Sequence, residues 1–189
     1  TYTYNDSDKY TQASNGTVDN ISNLDVHWVS GNVEIVSYNG NKLTFEEVSD
    51  APIPVDDRLC YWKDGNTLKI QFTKSGLRVK KNSHKNLIVY VPKDLKINEL
   101  NTEVVSADLN IKGINANKLD IETVSGEVSL NSVSARVCAY EGVSGTLVAD
   151  NIGFISFDGE AVSGEIALNI LPIYKAEKID IETVKNIKI

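Results

Sequence analysis

Residues 119–145 read LDIETVSGEVSLNSVSARVCAYEGVSG, and this stretch repeats one short pattern: alternating apolar and polar residues that lead into Val-Ser-Gly. Val-Ser pairs stand at 105–106, 124–125, 143–144 and 162–163, so the interval is 19 residues three times in succession. A fifth copy begins at Val184, 22 residues further on, with Pro172 in the gap. Even spacing of self-similar text is typical of a repeat architecture.

Aligning the copies produces columns of mostly apolar residues. One column reads Leu100, Leu119, Cys138, Phe157 and Ile179, and another reads Val105, Val124, Val143, Val162 and Val184. The period-two alternation within each copy predicts two short strands joined at the Ser-Gly step. Nineteen residues are too few for a βαβ unit of roughly 30 residues. They suit one coil of a β-solenoid, in which equivalent positions stack about 4.8 Å apart and the apolar columns form the core.

The predicted fold class is therefore all-β: a right-handed parallel β-solenoid of 19-residue repeats, with N-terminal β-hairpin elements. The handedness rests only on the general chirality of parallel crossovers. A meander of antiparallel hairpins stays open, because period and composition do not fix strand direction. Gly126, Gly145 and Gly164 follow the Ser in three copies, which predicts a positive φ and a sharp corner there. Ala107 in the first copy predicts a gentler corner.

The chain divides into three segments. Residues 1–22 are polar and are interpreted as a linker or arm. Residues 23–92 predict an N-terminal β region with one related coil and hairpins, and residues 93–189 hold the solenoid repeats and continue the same domain. Trp28 aligns with Thr123 and Ala161, which predicts that it plugs the N-terminal end of the core. The chain contains no Met, which indicates a processed or trimmed fragment.

The net charge of −7 argues against nucleic-acid binding, because phosphate contacts need a basic face. Basic residues nevertheless cluster in one segment, and the candidate polyanion patch, which could bind an anionic envelope polymer, consists of Arg78, Lys80, Lys81 and Lys85. A solvated loop is the alternative interpretation. No run of 18 apolar residues exists, so membrane attachment would need a segment outside this fragment.

Four sequence segments together resemble the pattern of a known protein family. They are Leu24-x-Val-x-Trp-Val-Ser-Gly-Asn-Val-Glu-Ile, Leu87-Ile-Val-Tyr-Val-Pro, Leu100-x-Thr-x-Val-Val-Ser and the repeated Thr-Val-Ser-Gly-Glu-Val. Over roughly residues 20–189 the chain resembles the bacterial "putative adhesin" family of β-strand-repeat domains of unknown function. The resemblance implies a protein at the bacterial cell surface, or anchored outside the cytoplasm, and often tethered by an upstream segment. It supplies no catalytic motif, so no functional residue is carried over from it.

Catalytic constellations are not evident in the sequence. His27 and His84 are the only histidines, and no Gly-x-Ser-x-Gly elbow, phosphate-binding glycine loop or His-Glu-x-x-His is present. We therefore expect no catalytic residues, metal site or cofactor. Cys138 stands in an apolar column and is predicted to be buried and inert. The predicted function is a non-enzymatic envelope interaction domain; the alternative is a glycan-acting enzyme on a β-solenoid scaffold, which would need two carboxylates in a groove.

An outward column places a glutamate in every repeat, and the column two residues earlier is mostly aspartate. The eight carboxylates are Glu103, Glu122, Glu141, Glu160, Glu182, Asp120, Asp158 and Asp180. If the copies stack, all eight share one sheet face, and His27 lies on the glutamate column. One interpretation is a solvated ladder that resists aggregation. The other is a docking strip for calcium, a basic peptide or the Lys/Arg face of a partner protein.

Overall fold

Strands dominate the computed structural model, which describes residues 1–80, 83–170, 176–183 and 186–189. The helical residues in these ranges form two short 3-10 turns, Ser7–Lys9 and Val55–Asp57. The all-β prediction is therefore confirmed. The strands are β1 (Thr11–Gln12), β2 (Asn15–Val18), β3 (Asn23–Tyr38), β4 (Leu43–Val48), β5 (Cys60–Asp64), β6 (Thr67–Gln71), β7 (Asn86–Pro92), β8 (Lys96–Lys112), β9 (Asn115–Thr123), β10 (Glu127–Asn131), β11 (Ser134–Gly142), β12 (Thr146–Ala161), β13 (Glu165–Ile170), β14 (Lys178–Thr183) and β15 (Asn186–Lys188).

Parallel pairing joins the strands of the C-terminal half into stacked coils. Leu119 in β9 pairs with Cys138 in β11, which pairs with Phe157 in β12, and each partner lies 19 residues further along the chain. Phe157 then pairs with Ile179 in β14, 22 residues on. The second strand of each coil pairs in the same way, as β10 does with β8 and β12. This parallel direction excludes the antiparallel meander for these strands and gives a β-solenoid-like stack.

The core lies between the two strands of each coil. Leu100, Leu119, Cys138 and Phe157 form a stacked row in which no side chain is more than 1% exposed. A single coil cannot bury its own apolar side chains. Stacking adjacent coils removes these side chains from water, so each coil stabilises the next.

Three valines of the Val-Ser column do not belong to this core, and their inward placement was wrong, whereas Val105 is partly buried against it. Val124, Val143 and Val162 are 48%, 47% and 54% exposed. The inward position is the residue before each of them, as with the buried Thr123 that precedes Val124. The alternation Ile121-in, Glu122-out, Thr123-in runs to the end of β9, so the next residue faces solvent as the chain turns. Val184 lies outside the described residues.

The corners also differ from the sequence prediction. Gly126 has φ +121°, but Gly145 and Gly164 do not adopt a positive φ, so the prediction was wrong for these two. A Cβ on Gly145 would lie 2.6 Å from the carbonyl oxygen of Gly126 in the coil below, so close backbone approach is what requires glycine there. Positive φ recurs instead at the opposite corner, at Gly113, Ser132 and Asn151.

The first coils lack a sharp break at the Val-Ser step. β8 continues through Ala107, as the gentler corner predicts, and β3 continues through Ser30 and Gly31. These two long strands pair in parallel along most of their lengths. The extended first coil gives the N-terminal elements a broad edge on which to pack.

Antiparallel strands cover the N-terminal edge of the stack. β5 and β6 form the predicted hairpin, with Gly65 at φ +61° in its turn, and β4 pairs with β7. β1 pairs with β5 and β2 with β4, so part of the polar arm 1–22 joins the sheet. Trp28 is fully buried and packs edge-on against Phe72 at 4.8 Å between ring centroids, in agreement with its predicted place in the core.

Within the described ranges, no helix has the length and apolar character to cross a bilayer.

Candidate docking face

Strand alternation and parallel register bring all eight predicted carboxylates onto one sheet face. Glu103 pairs with Glu122, which pairs with Glu141, and the row continues through Glu160 to Glu182. The aspartate column two residues earlier stacks in the same register. We call these eight residues, Glu103, Glu122, Glu141, Glu160, Glu182, Asp120, Asp158 and Asp180, the acidic strip.

Two residues of β3 extend this face by one coil toward the N-terminus. His27 pairs with Glu103, and its Nε2 lies 3.2 Å from Glu103 Oε1, which confirms its place on the glutamate column. Asp25 pairs with Asn101 and so continues the aspartate column. Sequence reasoning missed Asp25, although it precedes His27 by the same two residues that separate Asp120 from Glu122.

Repulsion between neighbouring coils shapes the electrostatics of the strip. Partial burial, followed by the charges of Glu103, Glu141 and Asp120, raises the pKa of Glu122. Two unit charges about 4.8 Å apart repel by about 0.9 kcal/mol in water, so the neighbouring glutamates oppose the ionisation of Glu122 modestly. A nearby cation therefore stabilises the ionised strip.

The small side chain of Ala139 leaves a shallow depression in the strip. It has a volume of about 150 Å³, and its acidic lining residues are Asp120, Glu122, Glu141, Asp158 and Glu160. Lys118 offers partial compensation, with Nζ 3.3 Å from Asp120 Oδ2. In the part of the chain that the structure describes, no group of three or more His, Cys, Asp or Glu side chains has the arrangement to hold a metal ion.

The N-terminal arm forms a larger cleft at the β3 end of the strip. This cleft, of about 580 Å³, is lined by Tyr2, Thr3, Tyr4, Asp25, His27, Gln71, Glu103, Val105 and Val124. Three hydrogen bonds fix the arm: Gly76 N–H donates to the Tyr2 carbonyl (2.8 Å), Tyr4 N–H to Ser75 Oγ (3.1 Å), and the Tyr4 hydroxyl to the Thr73 carbonyl (3.0 Å). We call this space the arm cleft.

A second groove, of about 340 Å³, lies on the outward face of the second strands of the coils, away from the acidic strip. Its lining includes Glu34, Asp108, Asn110, Glu127 and Ser129. Asp108 Oδ1 accepts the backbone N–H of Glu127 at 2.8 Å, so this carboxylate helps to join two adjacent coils.

The described residues of the predicted polyanion patch do not all lie on the surface. Arg78 and Lys80 are exposed, and Lys81 lies outside the described residues. Lys85 is only 4% exposed, so its assignment to the patch was wrong. Its Nζ lies 2.8 Å from Oε1 of the buried Glu47 and also donates to the carbonyls of Asp57 and Phe72.

Strand parity explains the burial of this lysine. Lys85 precedes the inward-facing Leu87 and Val89 by the period of two, and Glu47 follows Phe45 on the inward face of β4. Burial lowers the pKa of Lys85, while Glu47 opposes that change. The Leu59 N–H also donates to both Glu47 carboxylate oxygens. The period-two alternation of these strands places Lys85 and Glu47 at inward positions, and sequence reasoning did not use it.

Neither cysteine forms a reactive centre. Cys138 is fully buried, and burial raises the pKa of its thiol. Cys60 is also buried, and desolvation raises its pKa as well. Both thiols are therefore protonated and shielded, which confirms the predicted burial of Cys138.

Comparisons with known proteins identify the architecture. A sequence model of the family Toastrack DUF4097 matches residues 21–186. No curated protein matches the chain. A solved structure titled "putative cell adhesion protein" from Clostridium sporogenes is 14% identical, with a TM-score of 0.54, 95% of this chain covered and 99% of that one. A "putative adhesin" from Bacteroides fragilis is 16% identical, with a TM-score of 0.49 and coverage of 95% and 96%.

Proposed function

The chain belongs to the Toastrack DUF4097 family, and we propose that it is a non-enzymatic interaction domain of the bacterial cell surface that docks a cationic partner on its acidic strip. The family membership agrees with the β-strand-repeat resemblance in the sequence. The cell-surface placement is supported by that resemblance and by the adhesion name of the Clostridium sporogenes protein. We further propose that the coils wind in the right-handed sense usual for parallel crossovers.

The observation that carries the proposal is the in-register carboxylate row. Five stacked glutamates separated by four strand spacings span about 19 Å. Charged groups arranged in this way repel one another in the free protein, and a complementary surface relieves the repulsion. A basic peptide or the Lys/Arg face of a protein has a matching extended charge, whereas a single calcium ion neutralises only part of the row.

The arrangement of the carboxylates also bears on the glycan-acting alternative. A glycosidase places two carboxylates on opposite sides of the bond that it cleaves. The carboxylates of the acidic strip stand side by side on an exposed sheet face, with glutamate next to glutamate along the row. This arrangement supports docking rather than hydrolysis.

Binding of decalysine at low ionic strength tests the proposal. The triple variant Glu122→Gln/Glu141→Gln/Glu160→Gln removes three charges from the strip. Its matched control, Glu34→Gln/Glu127→Gln/Asp150→Asn, removes three charges from exposed residues on the second strands of the coils, away from the acidic strip. We expect the strip variant to lose at least tenfold in affinity and the control to lose less than threefold, measured by isothermal titration calorimetry.

Equal losses in the two variants would show that only net charge matters and would overturn the docking face. A second measurement with calcium distinguishes a basic partner from a metal ion as the ligand of the strip. Millimolar calcium should leave the melting temperature of the wild type unchanged, and a calcium-dependent rise that the strip variant loses would replace the cationic partner with a metal site.

A further inference from the structure

The arm cleft differs from the rest of the acidic strip because it combines charge with aromatic and apolar walls. Tyr2 approaches His27 edge-on at 6.1 Å between ring centroids. The exposed Val124 contributes an apolar wall. Tyr140 beside the depression at Ala139 is buried, whereas Tyr2 in the arm cleft is 36% exposed. A cation in the cleft can therefore contact the Tyr2 ring, which adds an attraction.

Asp25 is the charged group that distinguishes the cleft. It is half-buried, and burial is the main cause that raises its pKa. Among the described residues its carboxylate accepts no hydrogen bond and forms no ion pair, although the nearby charges of Lys69 and His27 partly lower its pKa. Lys69, its neighbour on β6, instead pairs with Asp64 at 3.1 Å and lies over the Trp62 ring at 4.8 Å. The charges of Lys69 and His27 offset only part of the cost of desolvating the Asp25 carboxylate, and a cation bound directly to it relieves the rest.

The second carboxylate of the cleft belongs to Glu103. Its side chain is 57% exposed and contacts His27 through Oε1, so it remains accessible to a ligand. The cleft volume of about 580 Å³ is larger than the depression at Ala139, and the fixed arm gives it a wall on the solvent side. The space therefore suits a long side chain with a charged end, inserted between the arm and β3.

We infer that the arm cleft binds one lysine or arginine side chain of a basic peptide, with its charged end at Asp25, Glu103 and the ring of Tyr2 and its stem against Val124. This inference rests on the proposed function, because the peptide is the cationic partner of the acidic strip. It adds an anchoring site, so that the partner docks at a defined position on the row rather than anywhere along it.

The test compares two single charge removals in the same aspartate column. Asp25→Asn removes the carboxylate of the cleft, and Asp158→Asn removes a carboxylate from the exposed strip. With decalysine as the probe at low ionic strength, we expect Asp25→Asn to weaken binding at least tenfold, the effect of losing one charge-assisted hydrogen bond. We expect Asp158→Asn to weaken it less than threefold.

The variant Tyr2→Leu removes the aromatic ring without changing the charge, and its affinity for decalysine is the second measurement. Its backbone carbonyl still accepts the Gly76 N–H, so the arm stays in place, and we expect a loss of several-fold from the missing ring. Thermal unfolding of each variant checks the fold, and Asp25→Asn should melt at or above the wild-type temperature because an unfavourably buried charge is gone.

Each outcome separates this inference from the proposed function. Equal weakening by Asp25→Asn and Asp158→Asn, with no effect of Tyr2→Leu, would overturn the anchoring site and leave the docking strip standing. If the wild type does not bind decalysine at all, both proposals fail. If Asp25→Asn melts well below the wild type, Tyr2→Leu alone decides, and unchanged binding by that variant overturns the inference.

Discussion

Replacing Lys85 with methionine tests whether the buried ion pair holds the N-terminal cap on the coils. The Lys85 ammonium donates to Glu47 Oε1 at 2.8 Å, to the Asp57 carbonyl at 2.7 Å and to the Phe72 carbonyl at 2.6 Å. It also lies 4.3 Å from the centroid of the Phe72 ring. Methionine fills similar volume but leaves a buried carboxylate without its cation and two carbonyls without a donor.

The expected loss is about 3–5 kcal/mol in the free energy of unfolding, the range for breaking one partner of a buried ion pair. That is a large fraction of the roughly 5–15 kcal/mol that stabilises most domains. Urea unfolding measures it through the fluorescence of Trp28, which packs against the same site and donates its Nε1–H to the Lys85 carbonyl.

Two controls make the result decisive. Lys74→Met breaks the exposed contact with Asp56, which is 3.1 Å long, and should change stability by less than about 1 kcal/mol. The double variant Glu47→Leu/Lys85→Met removes both charges and should be more stable than Lys85→Met alone, because no uncompensated ion remains. If Lys85→Met costs no more than Lys74→Met, the ion pair does not hold the cap and the reasoning is refuted.

Three further predictions concern the coils. Gly145→Ala should destabilise the protein by about 1–3 kcal/mol in urea unfolding, because its Cβ would meet the Gly126 carbonyl; an unchanged midpoint would contradict the close approach. Neither Cys60 nor Cys138 should react with a thiol reagent until the protein unfolds, so native titration should detect no thiol, and rapid labelling would contradict their burial. The raised pKa of Glu122 means that the folded state holds its proton more tightly, so stability should increase as pH falls from above that pKa to about 4.5, and Glu122→Gln should weaken this dependence in thermal unfolding.

Much of the architecture follows from the spacing of residues along the chain. The 19-residue interval places Leu119, Cys138 and Phe157 at equivalent positions, and the structure stacks and buries them. The same interval aligns Glu103 with Glu122 on the opposite face. These relations are accessible from sequence because strand alternation has a fixed period of two and a repeat fixes which residues become neighbours.

Other features depend on how elements from distant parts of the chain meet. The sequence assigned Lys85 to a basic surface, but β4 and β7 pair and bring it to Glu47, 38 residues away. The arm cleft forms because hydrogen bonds join Tyr2 and Tyr4 to residues 73–76, although the local sequence of the arm is polar and has no strong period.

The sequence by itself determined the all-β class, the stacked columns and the row of carboxylates, because these depend on local alternation and on a repeated interval. Only the tertiary structure decided that Val124, Val143 and Val162 face solvent, that Gly145 serves close packing rather than a positive φ, and that Lys85 is buried. The physical reason is that burial, backbone approach and charge pairing depend on which surfaces contact each other in the folded chain. The sequence pattern predicts those contacts only between copies of the repeat.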